Sequence, residues 1–120
     1  MDTYTLVRTA HLNHNGKLFG GQLLQWVDEF AWLAAARDFP DVILVTRAMD
    51  NSEFRHSVAN GSILRFHIGL QHTGTTSATY QVDVYAAMPA CQEEKLVFSN
   101  RVVFVAIDEK GNKTKLFPAH

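Results

Sequence analysis

Long apolar runs, cysteine pairs and an excess of charge of either sign are all missing from this sequence of 120 residues. No stretch approaches the roughly 20 apolar residues that a membrane-spanning helix needs. The net charge is −1, so nothing in the composition favours nucleic acid or an anionic membrane as a partner. Cys91 is the only cysteine, which excludes an internal disulfide and a metal site of the paired-cysteine kind. The first residues lack a secretory signal pattern, and we therefore expect a cytoplasmic protein.

The composition that is present is typical of a globular protein, with 47% hydrophobic and 19% charged residues. The length predicts a single domain spanning residues 1–120. For a chain of this size the hydrophobic share is somewhat high. We therefore expect another subunit to cover part of the apolar surface.

The periodicity predicts one helix followed by long strands. The helix runs from Gly20 to about Arg37 and ends before Phe39-Pro40, because proline disfavours helical geometry in the residue before it. Its apolar residues fall on one face: Leu23, Leu24, Val27, Phe30, Ala31 and Ala34. The predicted strands are Thr3 to Arg8, Val42 to about Glu53, Ile63 to Thr73, Ser77 to Ala87 and Lys95 to Ile107.

Short turns join these strands, which favours antiparallel pairing. The pattern predicts an α+β fold in which a long curved antiparallel sheet wraps around one central helix. The alternation places one set of side chains on the same face of its strand, namely Leu64, Phe66, Ile68 and Leu70. We also expect four strand aromatics in the core: Tyr80, Tyr85, Phe98 and Phe104.

The start of the helix holds the most informative stretch of the chain. An Asn-rich turn from Asn13 leads to Gly20-Gly21, and glycines at a helix start leave backbone N–H groups open to a developing oxyanion. Asp28 lies two turns further on, about 10 Å along the axis, where a carboxylate can act as a base or nucleophile. A carbonyl and a water molecule would fit between them, so this geometry permits hydrolysis.

Other interpretations of the same residues stay open. An Asp in a helix is usually solvated, and Gly-Gly before a helix is often only a turn. Asp28 could also be a structural residue at a subunit interface, since Trp32 shares its face of the helix. A tryptophan there would be exposed in a monomer and argues for a partner subunit or a ligand. His11 and His14 lack further ligands on a shared element, so we expect no metal site.

The order and spacing of these residues resemble a known family. The segment Asn13-x-x-Gly16-x-x-Phe19-Gly20-Gly21-x-Leu23-x-x-x-x-Asp28-Glu29 is similar to the acyl-CoA thioesterases of the hotdog fold, in the acyl-CoA hydrolase branch. The Gly74-Thr75-Thr76-Ser77 turn that opens a strand and the long final strand fit as well. The likeness covers nearly the whole chain.

The resemblance implies roles for individual residues. Asp28 would be the catalytic carboxylate, as base or nucleophile, and Asn13 would face it from the neighbouring subunit of a homo-oligomer. Gly20 and Gly21 would polarise the thioester carbonyl through their backbone N–H groups, with Phe19 beside them in the substrate site. The pantetheine arm would lie along Gly74, Thr75, Thr76 and Ser77. Arg55 is a candidate phosphate partner, and coenzyme A is expected as part of the substrate, with no separate cofactor.

Two alternatives to hydrolysis follow from the same scaffold. One is a hotdog hydratase or dehydratase, which usually pairs Asp with a His near the helix, and the predicted helix contains no His. The other is a non-catalytic module that binds acyl-CoA. A serine hydrolase is disfavoured because the sequence has no Gly-x-Ser-x-Gly motif.

Overall fold

The computed structural model describes residues 1–91 and 93–117 and shows one long helix against five strands. A short 3-10 helix at Thr9–His11 precedes the long helix. The elements are β1 at Asp2–Leu6, α1 at Gly20–Asp38, β2 at Ile43–Phe54, β3 at Ile63–Thr73, β4 at Ser77–Ala87 and β5 at Glu94–Ile107. No helix in the described part of the chain is long and apolar enough to cross a membrane.

The strands form one sheet in the order β1-β3-β4-β5-β2, and every neighbouring pair is antiparallel. This confirms the predicted fold class, an antiparallel sheet against a single helix. Strand β5 pairs with β4 on one side and β2 on the other, so β1 and β2 are the two edges of the sheet. The β3–β4 and β4–β5 links are hairpins, as the short turns predicted.

Helix α1 buries the side that faces the sheet. Its buried residues are Leu23, Trp26, Val27, Ala31, Ala34 and Ala35. Leu24 and Phe30, which we expected on that face, are only partly buried. Trp26 takes the inner place because its ring packs edge-on against His11 and Phe66, with ring centroids 4.7 Å and 6.4 Å away.

One expectation about the strands was wrong. Tyr85 does not enter the core, since it lies on the opposite face of β4 from Tyr80, under the Arg65 guanidinium at 4.4 Å from its ring centroid. Leu70 lies on the same face of β3 as Phe66 and Ile68, as predicted, because it pairs with the buried Tyr80. It is nevertheless 46% exposed, next to the shift in the β3–β4 register between Leu70 and His72. The other predicted aromatics, Tyr80, Phe98 and Phe104, are fully buried.

The edge strand β2 leaves apolar side chains uncovered. Ile43 and Val45 are 51% and 40% exposed, and Trp32 on the adjacent helix is 42% exposed. The indole N–H of Trp32 donates to the Leu44 carbonyl at 3.1 Å, which fixes the ring beside this edge. Trp32 is exposed in the single protomer, as predicted from its position on the helix.

Candidate active site

A tight turn at residues 13–17 fixes the side chain of Asn13. Its Oδ1 accepts hydrogen bonds from the backbone N–H groups of Asn15 at 2.9 Å and Lys17 at 3.2 Å. The Asn13 N–H donates to the Lys17 carbonyl at 2.7 Å. Gly16 has a φ of 73°, a left-handed conformation that glycine adopts without strain. Since the turn uses the oxygen of the Asn13 amide, the Nδ2 end is left to act as a donor.

The first two backbone amides of α1 are unpaired. Gln22 and Leu23 both donate to the Phe19 carbonyl, at 3.1 Å and 3.2 Å. The N–H groups of Gly20 and Gly21 donate to no acceptor within residues 1–91 and 93–117. A helix start leaves such donors with a partial positive charge, which suits an oxyanion. Gly20 and Gly21 therefore offer two donors at the helix start, and their use by a thioester stays a prediction.

Aromatic rings lie against both glycines. A Cβ added at Gly21 would stand 2.6 Å from the Phe19 ring, and one at Gly20 would stand 3.5 Å from the Phe54 ring. At Gly21 the limit is steric, because real Cβ atoms essentially never approach another atom that closely. Glycine at 21 thus lets the Phe19 ring lie against the helix start.

A cavity of about 310 Å³ opens beside this helix start. It is lined by Leu18, Gly20, Leu23, Phe54, Arg55, His56, Ser57 and Val58. Arg55 also pairs with Glu53, with 2.6 Å between Nη2 and Oε2, and both side chains are largely exposed. The structure therefore brings two of the predicted substrate residues, Gly20 and Arg55, to one cavity.

Asp28 faces β2 from the middle of α1 and is held there by Thr46. The Thr46 hydroxyl donates to Oδ1 of Asp28 at 2.6 Å, and Asp28 is half-buried. This hydrogen bond fixes the carboxylate while Oδ2 stays free of it. Sequence reasoning missed Thr46, because nothing in a strand pattern shows which helix residue a given threonine will meet.

The predicted pantetheine turn lies at the other end of the molecule from the helix start. Ser77 pairs with Val105 on β5, whereas Phe54, next to Gly20, pairs with Phe98. About seven residues of β5 separate these levels, roughly 23 Å. Within one protomer the residues Gly74, Thr75, Thr76 and Ser77 therefore do not join Gly20 and Gly21.

That turn is held by one internal hydrogen bond and by two from other segments. The Gly74 N–H donates to the Ser77 carbonyl at 2.8 Å, and a Cβ at Gly74 would stand 2.8 Å from Ser77 Oγ. The Thr75 and Thr76 carbonyls accept hydrogen bonds from the backbone of Leu116 and Ala106. A side chain at 74 would therefore force the Ser77 hydroxyl to rotate away from the turn.

His11, just before the turn, has structural contacts. His11 accepts a hydrogen bond from the Arg8 N–H through Nδ1 at 2.9 Å and packs its ring on Trp26. In the part of the chain that the structure describes, no three His, Cys, Asp or Glu side chains are grouped as metal ligands would be.

The fold and the site together define a hotdog-fold protein, with one helix held in a curved antiparallel sheet and unpaired amides at the start of that helix. The family model of the Thioesterase superfamily matches residues 15–91, and the chain belongs to that superfamily.

Named relatives agree with this assignment. The chain is 34% identical over 109 residues to an uncharacterized acyl-CoA thioester hydrolase of Zymomonas mobilis, covering 91% of this chain and 72% of that protein. It is 31% identical over 111 residues to acyl-coenzyme A thioesterase 11 of Mus musculus, covering 92% of this chain. It spans only 18% of the length of that mouse protein.

The structure is also similar to solved thioesterases. The crystal structure of an apo-hexameric acyl-CoA thioesterase superposes with a TM-score of 0.89 at 30% identity, covering 96% of this chain and 73% of that one. The resemblance to acyl-CoA thioesterases of the hotdog fold, drawn from the sequence, is thereby confirmed.

Proposed function

We propose that this chain hydrolyses acyl-CoA thioesters to a free acid and coenzyme A. The observation that carries the proposal is the pair of unpaired amides at Gly20 and Gly21 on the same helix as Asp28, whose carboxylate is fixed by Thr46. We also propose that residues 1–120 form a single hotdog domain. The names of the relatives and of the structural neighbour support this activity.

The chemistry follows from what each group can do. The thioester oxygen accepts hydrogen bonds from the Gly20 and Gly21 amides, which stabilise the negative charge that develops on it. Asp28 takes a proton from a water molecule that attacks the thioester carbon. The C–S bond then breaks, and the proton passes to the departing thiolate of coenzyme A. If Asp28 instead attacks the carbon itself, the thiolate of coenzyme A leaves and a mixed anhydride forms. Water that opens this anhydride at the Asp28 carbonyl labels the Asp28 side chain when the reaction runs in heavy-oxygen water.

Asn13 completes this site from the neighbouring subunit. Its Oδ1 is fixed by the 13–17 turn, so its Nδ2 group can donate to the Asp28 carboxylate or to the attacking water. Trp32 and Val45 leave apolar surface exposed beside Asp28, and a second copy of the chain would cover it. The active site would then lie at the subunit interface of a homo-oligomer.

The same arrangement explains the position of the pantetheine turn. A two-fold axis that pairs the open β2 edges antiparallel brings opposite ends of the two sheets to the same level. The partner's Gly74–Ser77 turn would then reach the level of Gly20 and hold the pantetheine arm. Phe19 would cover the thioester, and Arg55, in the cavity beside Gly20, would meet a phosphate of coenzyme A. The predictions of a cytoplasmic location and of no separate cofactor stay predictions.

The activity is tested by free-thiol release from a panel of acyl-CoA chain lengths, together with mass measurement in solution. Wild type is expected to release coenzyme A, and Asp28→Ala is expected to fold and lose nearly all release. Full activity in that variant would rule out the proposed site. Crotonyl-CoA hydration, followed by ultraviolet absorbance, is the control for a hydratase.

The shared site is tested by complementation between two inactive variants. Asn13→Asp keeps the oxygen that caps the 13–17 turn and replaces the Nδ2 donor by a negatively charged acceptor oxygen. Co-expression of Asn13→Asp with Asp28→Ala creates mixed oligomers in which some interfaces hold an intact Asn13 facing an intact Asp28. Partial recovery of activity is expected. If mixed oligomers form and stay inactive, Asn13 and Asp28 do not act across subunits.

A further inference from the structure

Asn100 is the one buried side chain in the described part of the protein whose polar atoms make no hydrogen bond. It is 1% exposed, and neither Oδ1 nor Nδ2 has a partner among those residues. The other buried polar residue, Ser62, donates to the sulfur of Met88 at 3.1 Å. An unpaired polar group in a core is costly, so it indicates that a partner is supplied from outside the chain.

The side chain of Asn100 lies in the layer between the sheet and the helix. It pairs with Val82 across the β4–β5 ladder, and paired residues share a face of the sheet. Tyr80, two residues from Val82 and therefore on the same face, donates its hydroxyl to Asp38 of α1. The neighbours of Asn100 on the same face of β5, Phe98 and Val102, are fully buried and apolar.

The level of Asn100 along the sheet falls between the two parts of the proposed active site. The Phe98 ring contacts Phe54, with 4.7 Å between centroids, and the Phe54 ring lies against Gly20. Asn100 is one inward-facing position further along β5, roughly 7 Å. Phe104, beyond it on the same strand, pairs with Thr46, which holds Asp28.

The sheet is irregular at this level. The β2–β5 register shifts between Asp50 and Glu53, so Asn51 and Ser52 lie where a regular strand would pair with Asn100. Asn51 has a φ of 53°, in the left-handed region. A bulge of this kind interrupts the ladder and often adjoins a functional site. The hydrogen-bond ladder next to Asn100 is therefore interrupted on the β2 side of β5.

Resting on the proposed thioester hydrolysis, we propose that Asn100 determines specificity by hydrogen bonding to an oxygen substituent on the acyl chain. The preferred substrates are then hydroxyacyl-CoA esters. The amide presents a donor and an acceptor side by side, and a hydroxyl group can satisfy both. A site that hydrogen-bonds a substrate hydroxyl disfavours the analogue that lacks it, because its own polar groups are then left unpaired.

The test compares esters that differ only in the hydroxyl group. Values of kcat/KM are measured for hexanoyl-CoA, 3-hydroxyhexanoyl-CoA and 5-hydroxyhexanoyl-CoA, with wild type and with Asn100→Leu, which is close in size and apolar. For wild type we expect at least one hydroxyacyl ester to be preferred over hexanoyl-CoA by about tenfold or more. Asn100→Leu is expected to abolish this preference.

Two outcomes would overturn the proposal. In the first, wild type shows no preference for a hydroxyacyl ester. In the second, the preference is the same in wild type and in Asn100→Leu. If that variant is then also more stable to heat, Asn100 is a costly buried amide with no role in substrate binding.

A binding measurement keeps the proposal testable if Asn100→Leu does not fold. Calorimetry on Asp28→Ala, which retains Asn100, gives the Kd of each of the three esters without turnover. Tighter binding of a hydroxyacyl ester supports the proposal, and equal binding overturns it. Absence of thiol release by wild type from every ester would instead contradict the proposed hydrolysis, so the two failures are distinguishable.

Discussion

Two aspartates of α1 each accept a hydrogen bond of 2.6 Å from a hydroxyl group of the sheet, yet their surroundings are opposite. Asp28 meets Thr46 on the exposed edge strand β2, whereas Asp38 meets the fully buried Tyr80 on the central strand β4. The first bond holds a carboxylate at an open surface, and the second closes the far end of the helix onto the core. The same kind of hydrogen bond thus lies in two opposite environments, and under the proposed function only the Asp28 pair takes part in catalysis.

The largest effect should separate these two pairs directly. We expect Asp28→Asn to lower kcat by roughly a hundred- to ten-thousandfold, because it removes the base while preserving shape. Its melting temperature should stay near that of wild type. Asp38→Asn is the matched control, with near-normal thiol release. Similar kinetic losses in both variants would contradict the distinction.

A smaller effect is expected from the partner of Asp28. Thr46→Val removes a hydrogen bond to a charged group, typically worth about 1.5–3 kcal/mol, which corresponds to roughly 10- to 100-fold in kcat/KM. Thr46→Ser keeps the hydroxyl and should retain most of the activity. If the valine and serine variants are equally impaired, the hydroxyl is not what positions Asp28.

The buried pair should affect stability and its dependence on pH. Burial, and then the hydrogen bond to Asp38, raise the pKa of Tyr80 above its ordinary value of 10.0. A raised pKa in the folded state means that this stabilisation is complete below about pH 10 and is lost as the pH rises beyond it. Tyr80→Phe should cost about 1 kcal/mol at neutral pH and reduce the alkaline loss of stability. Denaturant unfolding between neutral and alkaline pH measures both effects.

Substitution of a third aspartate, Asp2, should have the smallest effect on stability and serves as a reference for the other two. Asp2 on the edge strand β1 lies 2.6 Å from Nδ1 of His67, exposed and remote from the helix. The hydrogen bond with His67, together with the positive charges nearby, lowers the pKa of Asp2 below its ordinary 3.8. This contribution is present above that value and lost as the pH falls further. Asp2→Asn should reduce only the loss of unfolding free energy at acid pH, measured by denaturant unfolding, while thiol release at neutral pH stays unchanged.

Local signals account for the elements that the sequence predicted best. Strands β3 and β4 begin and end where expected, because Asn60-Gly61 and Gly74 mark the turns around them. Helix α1 extends one residue beyond the predicted Arg37. The 3-10 helix at Thr9–His11 was missed, since three residues are too few to show a periodic pattern.

The periodicity of the sequence could not predict contacts between different elements. The sequence around Thr46 has no feature that distinguishes it from other exposed strands. Its hydrogen bond to Asp28 depends on how α1 lies across β2. Asn100 occupies an inward-facing position in the regular alternation of β5. Only the structure shows that its amide is unpaired there. The motif around Gly20, Gly21 and Asp28 was visible because its parts lie on one continuous helix.

The contact between Gly21 and the Phe19 ring couples these two positions in any redesign of the protein. Even one methyl group at 21 would displace the ring, because it would lie 2.6 Å from the nearest ring carbon. The aromatic cover over the helix start would then open, although the amides themselves would be unchanged. A substitution at residue 21 therefore also changes how the Phe19 side chain, which is 56% exposed, lies over the helix start.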